Sequence, residues 1–251
     1  MLAFCVDGAE ASGGLGRRKV LIISYKKTAR AGGVLFIVAT VAGAASAAVL
    51  GSILEADGLL IDVAANEARV LVAVFLDLVL VGAVVAIPVV MFPILRKHTE
   101  GVARGYFAAR MVEGMIIMAG ALALLTLVTV SQESADLGGG SSVFGATGTF
   151  LLAVREWTDL IGTQLVFGVT ALILNLSMFR SLLVPRFISI WGLIGASLAV
   201  VSSLSSMFLG LDPFSATSVA LFLPIAIQEM FMAGWFIVKG FDLSAVGAES
   251  A

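Results

Sequence analysis

Six stretches of nearly unbroken apolar sequence, at 31–54, 70–95, 106–130, 160–179, 187–208 and 216–238, alternate with short polar connections. Each matches the ~20 apolar residues that, as a helix, cross ~30 Å of hydrocarbon. The pattern predicts an all-α fold, a polytopic membrane protein with six transmembrane helices in one bundle. Six crossings return the C terminus to the side of the N terminus. The chain then divides into a basic tail at 1–30, the six-helix domain at 31–241 and a short tail at 242–251.

The connections differ in the sign of their charge. Arg17, Arg18, Lys19, Lys26, Lys27 and Arg30 precede the first span; Arg96, Lys97, Arg104 and Arg110 surround the second connection; Arg180 and Arg186 flank the fourth; Lys239 follows the sixth span. Of the 15 Lys and Arg only Arg69 and Arg155 lie at the opposite face, which collects Glu55, Asp57, Asp62, Glu67, Glu133, Asp136, Glu156, Asp159 and Asp212. Basic connections are retained in the cytoplasm, so both termini and the second and fourth connections are expected there. The net charge of −2 averages a basic inner face with an acidic outer one. Trp157 at the outer start of span four, and Tyr106, Trp191 and Trp235 near inner ends, sit where aromatic belts lie. The expected location is a bacterial cytoplasmic membrane, with the bilayer as partner and no nucleic acid; the oligomeric state is not legible.

Composition narrows the chemistry. A chain of 251 residues, 60% hydrophobic with mean hydropathy +1.09, has no room for a separate soluble domain when its longest connection runs only from 131 to about 159. The single cysteine, Cys5, and the single histidine, His98, argue against an internal disulfide, paired-histidine haem, a His-rich zinc site and a Ser-His-Asp triad. No cofactor and no metal is expected, and an enzyme is disfavoured. The segment 1–16 lacks the basic start of a signal peptide and 20–24 is too short for its apolar core, so span one is expected to target the chain uncleaved. The basic clusters around 20–25 leave two readings, an interfacial segment on an anionic leaflet or an irregular tail. The Gly-rich stretch at 138–140 reads as a flexible connection, and 143–154 as an interfacial helix leading into span four.

Within the spans, Ala39, Gly43, Ala47 and Gly51 form a small-residue stripe on span one, and Gly192, Gly195, Ala199, Ser202 and Ser206 form another on span five. Both are expected to be helix-packing faces. Pro88 and Pro93 in span two and Pro224 in span six remove backbone donors and can kink their helices.

Four ionisable residues fall inside the apolar runs: Asp77, Arg110, Glu113 and Glu229. A charge in hydrocarbon costs about 2.5–3.5 kcal/mol on insertion scales, so each is expected to face the bundle interior and to find a partner. At ~1.5 Å per residue, Glu113 lies about 13 Å from Arg104, Glu229 about 15 Å from Lys239 and Asn175 about 8 Å from Arg180, all in the inner half. Arg110 and Glu113, three apart, can pair along one helix face, which leaves Glu229 either neutral or paired across to Arg110. Gln164, Gly168, Ala171 and Asn175 share a stripe on span four. Asp77 and Gln164 fall in the outer half, with Arg155 and Asp159 at the rim. The candidate intramembrane site is therefore Glu113, Glu229, Arg110, Asn175, Asp77 and Gln164.

Several stretches resemble a known family: KKTARAGGVLFIVATVAG from Lys26, FPILRKHTEGVARGYFAARMVEG from Phe92, LLAVREW from Leu151, PRFISIWGLIGA from Pro185 and LPIAIQEMFMAGWFIVKGF from Leu223. From about Lys26 to Phe241 the chain resembles the bacterial family called domain of unknown function 4386. The resemblance implies a six-helix bacterial membrane protein whose matching motifs contain Arg110, Glu113, Arg155, Trp157, Pro185 and Glu229, and it implies no activity.

Three readings of function follow. The first is a protein that binds or transports a small polar solute or cation through the Glu113/Glu229 region. The second is a structural or regulatory subunit whose polar groups only join helices. The third is an intramembrane enzyme that uses carboxylates to act on lipid. A polar cleft at Glu113 and Glu229 favours the first, a dry centre the second, and an apolar tunnel open sideways to lipid the third.

Overall fold

The computed structural model describes residues 7–54, 58–98, 100–137, 142–213 and 215–242, and all secondary structure among them is helical. The elements are α1 (Asp7–Leu54), α2 (Leu59–Ala65), α3 (Glu67–His98), α4 (Glu100–Asp136), α5 (Ser142–Thr158), a π-helical segment (Asp159–Val166), α6 (Phe167–Ser181), α7 (Arg186–Leu209) and α8 (Ala216–Val238). Six rods are long and apolar enough to cross a membrane: Tyr25–Leu54, Glu67–Lys97, Glu100–Asp136, Ser142–Ser181, Arg186–Leu209 and Ala216–Val238. Cys5, Glu55, Asp57 and the glycines at 138–140 lie outside the described residues.

The rods form a ring in chain order. Each packs against the next, α1 on α3, α3 on α4, α4 on the α5–α6 rod, that rod on α7 and α7 on α8; α8 then closes on α1. Long apolar side chains such as Val41, Phe75, Met115, Leu122, Val201 and Phe231 point outward and remain exposed, as expected where lipid and not water surrounds the fold. Polar side chains are turned inward instead.

The ring is plugged at its basic end. Phe36, Met91, Leu95, Tyr106, Met178 and Phe236 are almost fully buried in one cluster there. Phe36 and Phe236 lie 6.4 Å apart between centroids across the α1–α8 seam. Gly33 makes this approach possible, since a Cβ at that position would stand 2.6 Å from the Ala233 carbonyl oxygen. Arg30 Nε donates to the Ile237 carbonyl at 3.3 Å, and Lys97 donates to the Tyr25 hydroxyl, so the basic ends of α1, α3 and α8 are tied together.

Three features differ from the sequence expectation. Helix α1 already begins at Asp7 and runs to Leu54, its backbone breaking only at Gly51, with φ 22° and ψ −116°. Residues 143–154 are not a separate interfacial helix: α5 continues without interruption through the π segment into α6. The small-residue stripe of α1 is not simply a packing face, because Ala39, Gly43 and Ala47 border a cavity. The α7 stripe does pack: a Cβ on Gly195 would lie 2.8 Å from the Ile225 amide nitrogen, so α7 crosses α8 backbone to backbone just after Pro224.

Candidate intramembrane binding site

A cavity of about 380 Å³ occupies the ring between α1, α3, α4, the π segment and α8. Its floor is the plug of the basic end. At the acidic end it meets a wider vestibule of about 870 Å³, with Ala47, Arg155, Asp159, Gln164 and Pro213 lining both. The walls are mostly apolar, and the polar groups fall into two layers.

The inner layer is built on α4. Arg110 and Glu113 sit one turn apart, and Arg110 Nη1 donates to Glu113 Oε1 at 2.9 Å. Arg110 Nε donates to the Tyr106 hydroxyl at 3.2 Å, and Thr170 on α6 donates to Glu113 Oε2 at 3.1 Å. Both charged residues are 2% exposed, so the pair is held in a low-dielectric interior where geometry decides its value. The guanidinium also lies over Phe36, Tyr106 and Phe167, 5.6 to 5.9 Å from their ring centroids. Glu229 comes across from α8: its Oε2 accepts from Thr40 of α1 at 3.2 Å, and its Oε1 stands 3.8 Å from Arg110 Nη2. Glu229 thus approaches Arg110 across the ring without reaching hydrogen-bond distance. Arg110 Nη2 itself makes no hydrogen bond.

The outer layer joins α3 to the fourth rod. Arg155 Nη1 lies 3.0 Å from Asp77 Oδ2, and Asp77 is 2% exposed. The contact is not aligned as a hydrogen bond, and Asp77 Oδ2 has no other donor. Arg155 reaches inward over Gly120 of α4, where a Cβ would stand 3.0 Å from Nη1 and 2.6 Å from the Thr158 hydroxyl. Asp159 opens the π segment and accepts from Thr163 at 2.8 Å. Asp159, Thr163 and Gln164 all line the cavity. Such widened turns concentrate at functional sites because they re-aim side chains that an α-helix would carry past.

Of the candidates read from sequence, Glu113, Glu229, Arg110, Asp77 and Gln164 converge on this one cavity, with Asp159 at its outer edge. Arg155 lies deeper than the rim assigned to it, as the partner of Asp77. Asn175 is elsewhere. Its Oδ1 accepts from Gln228 Nε2 at 3.1 Å, and its amide lies against Gly192, in a buried contact of α6, α7 and α8. Gln164 lies in the π segment and Asn175 eleven residues further along the rod, about 16 Å at ~1.5 Å per residue, so the two meet different neighbours. Thr40, Tyr106, Thr170, Gln228 and the aromatic wall of Arg110 complete the two networks and were not singled out from sequence as site residues. For Thr40 a signal existed, a hydroxyl directly beside the small-residue stripe of α1.

Residues 31–240 match the family described as Domain of unknown function (DUF4386). No curated protein and no solved structure matches the chain.

Proposed function

This chain belongs to the DUF4386 family, whose description assigns no activity, and we propose that it is a membrane protein that takes a small polar solute or cation into its ring from the acidic face. The observation that carries this reading is a cavity running from the acidic end to Glu229, with a closed apolar plug behind it. A purely structural network has no need of such space: membrane cores join helices by filling the gaps between them. The reading also places the basic end, with both termini, in the cytoplasm of a bacterial cell, and the acidic vestibule outside. Binding or the outward-facing stage of transport then begins at Asp159 and ends at Glu229. The lipid-enzyme reading draws on Val219 and Leu223, which line the cavity and are exposed on the α8 face, but the wider opening lies at the acidic end beside Asp212 and Pro213.

The test is access. In a Cys5→Ser background, cysteine at Ala44, on the cavity wall, should react with a membrane-impermeant thiol reagent added from the acidic face. Cysteine at Met91, inside the plug, should not react from either side. Folded Ala44→Cys protein that stays unlabelled would mean a dry centre and favour the structural reading.

A further inference from the structure

The two charged layers narrow the kind of solute that fits. In formal charge the inner layer sets one arginine, Arg110, against two carboxylates, Glu113 and Glu229. The outer layer sets Arg155 against Asp77 and Asp159. In formal charge each layer is thus one negative charge in excess, which in a low-dielectric interior is relieved either by a proton on a carboxyl or by a cation. Among the described residues no three His, Cys, Asp or Glu side chains are grouped to hold a metal ion. Organic ammonium groups suit the site better, because single carboxylate oxygens backed by an apolar wall match their charge and their stems.

Each layer also presents one incompletely used acceptor. Glu229 Oε1 is 3.8 Å from Arg110 Nη2, beyond hydrogen-bond distance. Asp77 Oδ2, on a side chain 2% exposed, makes no hydrogen bond although Arg155 stands beside it. The layers are separated by the rise of α4 from Glu113 to Gly120, over which Arg155 lies, about 10 Å at ~1.5 Å per residue. Between them the cavity is lined by Gly43, Leu80, Val84, Ile117 and Ala226, with no charged side chain.

Two anionic acceptors joined by an apolar sleeve are complementary to a molecule with two cationic ends and an aliphatic middle. We propose that the cavity binds a linear aliphatic diamine, one ammonium group at Glu229 and the other at Asp77, with its methylenes against the sleeve. A separation of about 10 Å, less a charge-assisted hydrogen bond of ~2.8 Å at each end, leaves about 5 Å between the two nitrogens, which a chain of about three or four methylenes spans. This assignment rests on the solute-site reading above and names its ligand class.

The experiment compares 1,3-diaminopropane and 1,4-diaminobutane with n-butylamine on the full-length protein in lipid nanodiscs, reading thermal stabilisation and calorimetric affinity. The diamines should bind at least about tenfold tighter than the monoamine, the contribution of one further buried charge-assisted hydrogen bond. Asp77→Asn should reduce diamine affinity to the monoamine level, and Glu229→Gln should reduce both. Where Asp77→Asn yields too little folded protein, Asp159→Asn at the half-exposed outer edge should narrow the preference in the same direction. Equal affinity for monoamine and diamine, lost in Glu229→Gln and indifferent to Asp77→Asn or Asp159→Asn, would overturn the two-ended ligand and leave a simple cation site. Absence of any amine binding, with Ala44→Cys still labelled from the acidic face, would overturn the diamine assignment alone. An unlabelled Ala44→Cys would overturn this assignment together with the solute-site reading.

Discussion

With Glu113 one turn along α4 and Glu229 facing it from α8, the guanidinium of Arg110 is the cation that both buried carboxylates approach. Removing it leaves both without a cation, and breaking a buried pair from one side costs about 3–5 kcal/mol. Arg110→Gln should therefore lower the yield of folded, detergent-extracted protein sharply, and Arg110→Gln with Glu113→Gln should recover part of it. Glu229→Gln is milder, because the Thr40 hydroxyl keeps an acceptor and Arg110 keeps Glu113; a loss of about 1 kcal/mol or less is expected. Recovery of ligand-free Tm to near wild-type in Glu229→Gln, against collapse in Arg110→Gln, is the measurement. A second residue-scale test concerns Gly192, whose missing side chain is the space that the Asn175 amide occupies. Gly192→Ala should destabilise by about 1–3 kcal/mol, as overpacking does. Combined with Asn175→Ala it should cost less than the two single changes added together, and strict additivity would show that the contact is not the cause.

At the scale of elements, the glycines of α1 and α7 part company. Gly195 lies under the α8 backbone, which cannot yield, so Gly195→Leu should separate the two helices and lower Tm by many degrees. Gly43 faces the cavity, and a Cβ there would meet Leu80 only at 3.5 Å, an ordinary contact. Gly43→Leu should therefore leave the protein folded but fill the cavity, which labelling of Ala44→Cys would report as lost access. Both helices carry a stripe of small residues at helical spacing, so periodicity alone could not separate them. What the sequence lacks is the partner: a stripe is small either because a helix lies on it or because a space must be kept open. The six rods themselves were legible, since twenty apolar residues in lipid leave a backbone little choice but helix. So was the convergence of Glu113, Glu229, Arg110 and Asp77, because charge must turn inward. The π segment was not legible, because no residue type announces a wider turn, and neither was the position of Asn175, because a helical stripe does not say how far along it a cavity extends.

For the whole molecule, the distribution of Lys and Arg predicts orientation. Reporter fusions after Ala251 and within 96–104 should behave as cytoplasmic and those within 131–142 as external; an external C terminus would reverse the direction from which the vestibule is reached. The ring adds a consequence for biogenesis. As a nascent chain emerges, five of the six seams of its ring form between consecutive neighbours, a low-contact-order path that needs no long search. The sixth joins α8 to α1 across nearly the whole chain, and until it forms Arg110, Glu113 and Thr40 border an open groove facing lipid. The compartment is thus the last thing assembled, created by the docking of the final helix. A chain ending before Ala216 should insert normally yet present those polar groups to hydrocarbon, the kind of defect that membrane proteases remove. Pulse-chase measurement should find it made at the wild-type rate and degraded several-fold faster, and coexpression of α8 as a separate segment should restore its lifetime.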